Sequence, residues 1–171
     1  EKNIGAIHLS DLDRKWRVFM GNKLEIEAFF SADWNQVKAI YIEGINTGNA
    51  TFQTVAPTWD AWDSGHNRKC RYVAKLSGEV VGWIALSPIS NREVFDGVAE
   101  VSIYLSNSIL GMGIGSRLLA YLIEQSEHNG FWTLQAMIFP ENVASIKLHK
   151  KFGFEERPSQ YTGAGMAKMI Q

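Results

Sequence analysis

The chain has one cysteine, Cys70, so no disulfide can close within it, and no metal-ligand partner lies near that residue. A reducing compartment is the expectation. No run of eighteen apolar residues occurs and no leader pattern stands at the start, which removes a membrane-spanning helix and a secretory signal from the reading. A cytoplasmic protein without a membrane partner is expected. Charge of one sign is also lacking: the formal balance is −1 with both signs interspersed, so nucleic acid has no electrostatic support as a partner. His8, His66 and His128 share no ligand spacing with any Cys, Asp or Glu cluster, and no metal is expected. Neither repeats nor low-complexity segments interrupt the 171 residues. With 46% apolar and 20% charged residues, they suit one domain around one core.

What is present is concentrated between Val98 and Asn129. Val98 to Leu105 (V-A-E-V-S-I-Y-L) alternates and is rich in β-branched and aromatic residues, which predicts a strand. Leu118, Leu119, Leu122 and Ile123 form one apolar stripe at helical period, with Glu124, Gln125 and Glu127 mostly outside it. Between strand and helix lie Gly111, Gly113 and Gly115, where the backbone turns sharply and can approach a ligand closely. Such a loop leaves free N–H groups at the helix start, a phosphate site. The Walker loop is excluded, because Gly115 is followed by Ser116 and Arg117 rather than Lys. The dinucleotide fingerprint is excluded by the G-x-G-x-G spacing and by the late position. A diphosphate loop of another sort remains, beside the alternative of a turn shaped for packing alone.

Elsewhere, Ser10 to Met20 predicts a short amphipathic helix, and Lys23 to Phe30 a first strand. Asp33 is expected to cap a helix that buries Val37, Ile40 and Tyr41 and ends near Thr47-Gly48-Asn49. Asn49 to Ala56 and Thr58 to Trp62 read as a loop whose aromatics either line a pocket or plug the core. Lys69 to Leu76 and Glu79 to Ser87 form a hairpin about Ser77-Gly78. Gly130 closes the central helix. Phe131 to Phe139 then reads as a doubly covered strand, parallel to the earlier one across the helical crossover. A helix from Glu141 to Phe152 and a short last strand near Met166 to Ile170 complete the chain.

A meander, a strand, G-x-G-x-G, a helix, a strand and then E-N-V-A-S-I-K-L-H-K-K-F-G-F resemble the GCN5-related N-acetyltransferase superfamily. Within it, G-N-A-T-F-Q-T from Gly48, V-G-W-I-A-L-S-P from Val81, A-E-V-S-I-Y from Ala99 and G-F-W-T-L-Q-A from Gly130 are similar to the phosphinothricin and methionine sulfoximine acetyltransferases. The resemblance spans roughly residues 26 to 156 and leaves residues 1–24 as an atypical extension. It implies an α/β (α+β) fold with a mixed, mostly antiparallel sheet flanked by helices, and a cofactor at a splayed strand pair. Acetyl-CoA is the implied cofactor, a small amine the implied substrate, and a homodimer the common assembly.

By the same resemblance, Ile103, Tyr104 and Leu105 would meet the pantetheine arm. Gly111, Met112, Gly113, Ile114, Gly115 and Ser116 would hold the diphosphate, with Asn142 near the arm. The superfamily usually carries Arg or Gln three residues before the middle glycine, and here that place is Leu110. Losing one charge-assisted contact costs about 1.5 to 3 kcal/mol. Glu100 is the expected base for the incoming ammonium, and His149, where many members have tyrosine, the expected acid for the leaving thiolate. Arg92 is the candidate for a substrate carboxylate, with Thr51, Phe52 and Phe95 shaping the pocket. Two alternatives stand beside an amino-acid-like acceptor: another amine (polyamine, aminoglycoside or protein), and a domain that binds acyl-CoA without turnover.

Overall fold

The computed structural model describes residues 23–157 and 164–169; the helix expected over residues 10–20 lies outside them. One seven-stranded sheet runs in the order β1-β2-β3-β4-β5-β7-β6. Its strands are β1 (Leu24–Ala28), β2 (Arg71–Leu76), β3 (Glu79–Pro88), β4 (Val98–Leu105), β5 (Thr133–Ile138), β6 (Glu155–Arg157) and β7 (Ala164–Met169). Four helices pack on it: α1 (Trp34–Asn46), α2 (Trp59–Gly65), α3 (Ile114–His128) and α4 (Val143–Lys151). Every neighbouring pair is antiparallel except β4 and β5. The mixed, mostly antiparallel sheet expected from the sequence is therefore present.

The hairpin turns at Ser77 (φ 50) and Gly78 (φ 84), the paired positive φ values of the turn whose twist suits two adjacent strands. Strand alternation then sorts the core to two faces. Ile84, Leu86, Leu118, Leu119 and Leu122 form an aliphatic layer under α3, each with no measurable exposure. Phe29, Trp34, Tyr41, Trp62 and Trp83 form an aromatic layer under α1 and α2. At the end of α3, Phe131 N–H reaches Ser126 O (3.0 Å) and Gly130 N–H reaches Glu127 O (3.1 Å), with Gly130 at φ 82. This double bond pattern around a left-handed glycine is the expected helix stop.

Three expectations are corrected. Asp33 precedes α1, but its carboxylate accepts from Phe30 N–H behind it (3.1 Å) and pairs with Lys75 (3.0 Å), so no side chain caps α1. Residues Thr58 to Trp62 are not loop: Thr58 Oγ1 accepts from Ala61 N–H (3.3 Å) and starts α2, a helix too short to show a period. β5 is covered on one face only, since Leu134, Ala136 and Ile138 are buried while Met137 is exposed. An apolar residue on its open face had made the strand read as doubly covered.

Candidate active site

β4 and β5 pair over only three positions, Val98 with Thr133, Ala99 with Leu134 and Glu100 with Gln135. Beyond Glu100 the two strands part, β4 staying with β3 and β5 with β7. Ser106 N–H bonds to Val81 O on β3 (2.9 Å). Strand alternation therefore turns the N–H and C=O groups of Ile103 and Leu105 to the opposite edge, where no strand follows. The sheet offers backbone pairing to an extended ligand at this fork.

A groove of about 460 Å³ begins there, between Ile103, Tyr104 and Leu105 on one side and the glycine loop on the other. Gly111 (φ 80) and Gly113 (φ 77) hold left-handed conformations that side chains resist. A Cβ on Gly115 would stand 3.1 Å from Leu105 Cδ1 and 3.3 Å from Leu148 Cδ2. Arg117 N–H makes the first bond of α3, to Gly113 O (3.3 Å). The N–H groups of Gly113, Ile114, Gly115 and Ser116 come before it and find no partner within the helix. Four free donors at the start of a 15-residue helix suit a diphosphate. Met112 differs from its neighbours: its N–H goes to Ile109 O (3.3 Å) and its side chain packs on the aliphatic layer. Leu110 stands exposed at the rim. The sequence reading gave no task to Lys151, whose Nζ donates to Ser116 Oγ (3.2 Å) and brings a cation to the loop from α4. The signal available was the Lys-Lys pair in the last turn of that helix.

A second cavity, of about 260 Å³, shares a wall with the groove at Ile103, Tyr104, Asn142 and Ser145. Asn142 caps α4 by accepting from Ser145 N–H (3.2 Å) and also donates to Asn49 O (3.5 Å). Glu100 enters at the vertex of the fork, and burial pushes its carboxyl above the ordinary 4.5. Among the described residues that line the cavity it is the only Asp, Glu, Lys or Arg. His149 is 1% exposed. Its Nδ1 donates to Ser145 O (2.8 Å), which fixes the neutral tautomer and leaves a lone pair on Nε2. Burial lowers its pKa against that bond.

Three fully buried side-chain polar atoms lack a partner among the described residues: Trp62 Nε1, Trp83 Nε1 and His149 Nε2. All three residues line this one cavity. Buried polar groups left unpaired cost stability.

Thr51 and Phe52 stand in the wall, Phe52 edge-on to Phe139 at 4.5 Å between centroids. Arg92 and Phe95 are not brought there. The Arg92 guanidinium lies 5.7 Å over the Phe95 ring in the turn before β4, and Phe95 borders a different cleft with Pro88 and Asp96. Tyr104 stands in both the cavity and groove walls, its ring stacked on Trp83 (4.8 Å) and its hydroxyl on Ala50 O (3.3 Å). A Cβ on Gly44 would stand 2.6 Å from that ring. Gly44→Ala is therefore expected to cost about 1–3 kcal/mol by overpacking and to slow turnover, checked by thermal melts and a thiol-release assay.

A free strand edge, a glycine loop and a half-buried carboxylate at a sheet fork suit an extended, diphosphate-bearing ligand whose far end meets a titratable group. The family model described as Acetyltransferase (GNAT) family matches residues 30–154, and the chain belongs to this family. It is 30% identical over 138 residues to a phosphinothricin N-acetyltransferase of Streptomyces viridochromogenes, covering 78% of this chain and 75% of that one. It is 30% identical over 130 residues to an L-methionine sulfoximine/L-methionine sulfone acetyltransferase of Pseudomonas paraeruginosa, covering 72% and 76%. The solved phosphinothricin acetyltransferase from Sinorhizobium meliloti in complex with AcCoA superposes with a TM-score of 0.75 at 26% identity, over 86% of this chain and 88% of that one. The protein is an acetyltransferase, and acetyl-CoA is its acyl donor.

Proposed function

We propose that the chain transfers the acetyl group of acetyl-CoA to the primary amine of a small amino-acid-like acceptor of the phosphinothricin or methionine sulfoximine type. The observation that carries this is the cavity at the fork, which shares a wall with the donor groove and is lined, among the described residues, by one carboxylate and by Trp62, Trp83 and His149, each with an unpaired buried nitrogen. Its volume of about 260 Å³ suits a small molecule better than a folded protein surface. Acetyl-CoA supplies an activated thioester. Ile103 and Leu105 offer backbone pairing to its arm, the loop from Gly111 to Ser116 receives its diphosphate on the N–H groups of Gly113 to Ser116, and Asn142 stands between arm and acceptor.

Glu100 takes the proton of the acceptor ammonium, directly or through water, since only the free amine can attack. A carboxyl raised by burial is a stronger base than an exposed one. The free amine attacks the thioester carbonyl, forming the C–N bond as the C–S bond breaks; His149 accepts at Nε2 the proton that the attacking nitrogen sheds and passes it to the departing sulfur, and burial makes its imidazolium a ready acid. Thr51 and Phe52 shape the acceptor end. The carboxylate fork expected of Arg92 has no counterpart among the described residues of the cavity wall, which include no Lys or Arg. Cytoplasmic residence and a homodimer belong to the same reading; a sedimentation mass of one chain overturns the latter.

Lys151 takes the place of the cation that Leu110 lacks. Lys151→Met is expected to raise the KM for acetyl-CoA about tenfold at low salt, and less as salt rises. The effect should vanish with a small acetyl thioester that has no phosphates. The reading as a whole is tested by thiol release from acetyl-CoA against methionine sulfoximine, phosphinothricin, spermidine and an aminoglycoside. Release with the amino-acid analogues supports it. Release only with a polyamine or aminoglycoside moves the acceptor, and acetyl-CoA binding without release favours a non-catalytic acyl-CoA sensor.

A further inference from the structure

His66 follows α2 and lines the same cavity as Glu100. It is held from three directions. Its ring lies flat on Trp62, at 3.9 Å between centroids and 12° between planes. Its Nδ1 is 2.7 Å from Trp62 O, and the next residue, Asn67, gives its N–H to Leu86 O (2.7 Å) on β3. The helix beneath is pinned in turn, because Asp63 pairs with Arg71, whose guanidinium lies 5.8 Å over Trp62.

A carbonyl can only accept, so the Trp62 bond places the proton of a neutral His66 on Nδ1 and leaves Nε2 as a lone pair. No described residue bonds to that nitrogen. Burial holds the ring below its ordinary pKa, with the Arg71 charge adding to this, which keeps it neutral. Among the described residues the cavity wall therefore holds a carboxylate and two imidazoles with an Nε2 lone pair, His66 and His149, and no Lys or Arg. An ammonium that leaves water to enter needs hydrogen-bond acceptors for its N–H groups, and Glu100 alone does not supply them all.

We propose that His66 is a substrate-binding residue of the acceptor cavity: its Nε2 accepts a hydrogen bond from the acceptor's ammonium group and favours protonated amines over anionic or apolar groups at this wall. The assignment rests on the acetyl-transfer reading and extends it to a residue outside the expected site. A histidine at a helix end also serves as a plain cap for the last carbonyls, and that role needs Nδ1 only. The two roles separate in kinetics. A cap acts on stability, whereas a ligand acts on the acceptor's KM.

His66→Phe keeps a flat ring against Trp62 and removes both nitrogens; His66→Gln keeps an oxygen acceptor. Both are assayed by thiol release with whichever amine of the panel above turns over, alongside the KM for acetyl-CoA and thermal melts. The expected result is an acceptor KM raised about tenfold in the Phe variant, partial recovery in the Gln variant and an unchanged KM for acetyl-CoA. An acceptor KM within about twofold of wild type in the Phe variant, or an equal rise in both KM values, overturns the assignment. A wild type that turns over no amine contradicts the acetyl-transfer reading, and this one with it.

Discussion

Replacing Glu100 by Gln lowers kcat/KM for the acceptor by about 10² to 10⁴-fold, the usual worth of a positioned general base. Glu100 sits where β4 and β5 part, so the strands that create the cavity also deliver the carboxylate to its vertex. The amide has nearly the same shape and can still accept a hydrogen bond, but it cannot take a proton. The KM for acetyl-CoA should stay unchanged, since Glu100 does not line the donor groove. A pH series checks the cause as well as the size. The wild-type carboxyl must be ionised to act, and burial raises its pKa above 4.5, so activity climbs with pH through that raised value. In the Gln variant this contribution to the acid limb disappears. An unaltered acid limb would assign the loss of rate to geometry instead.

Gly113→Val produces the second large effect, on the donor side. Gly113 holds φ 77 at the start of α3, and a β-branched residue there costs about 1–3 kcal/mol in backbone strain. Relief of that strain turns the loop and takes its N–H groups off the diphosphate. Losing two charge-assisted bonds of about 1.5 kcal/mol each raises the KM for acetyl-CoA on the order of 10²-fold. Gly130→Ala provides the control. Gly130 has a similar φ of 82 but ends α3, outside the groove, so it should lower the melting temperature and leave the KM for acetyl-CoA where it was.

Elements whose local chemistry and periodicity agree were legible in the chain. The Ser77-Gly78 turn, the alternating β4, the glycine loop and the stripe of α3 each follow from a few adjacent residues. The rest depended on partners distant in sequence. Asp33 looks like a cap until Lys75, from β2, claims its carboxylate. Met137 makes β5 look covered on both faces, yet in the fold its side chain stays exposed in the cavity wall. His149 was legible from its motif position, whereas His66 was weighed only as a metal ligand, since nothing local says that the end of α2 meets the cavity. Arg92 and Phe95 have residue types that suit a carboxylate pocket, yet the short turn at Glu93–Phe95 stacks them on each other.

In the proposed reaction, one fork in the sheet brings an acetyl thioester and an amino-acid-like amine together. Mass spectrometry of a mixture of the protein, acetyl-CoA and methionine sulfoximine tests it most directly, with thiol release followed in the same tube. N-acetylated acceptor and free CoA are expected in equal amounts, both falling with Glu100→Gln. Thiol release without an acetylated amine, or acetyl-CoA binding with neither product, would contradict it.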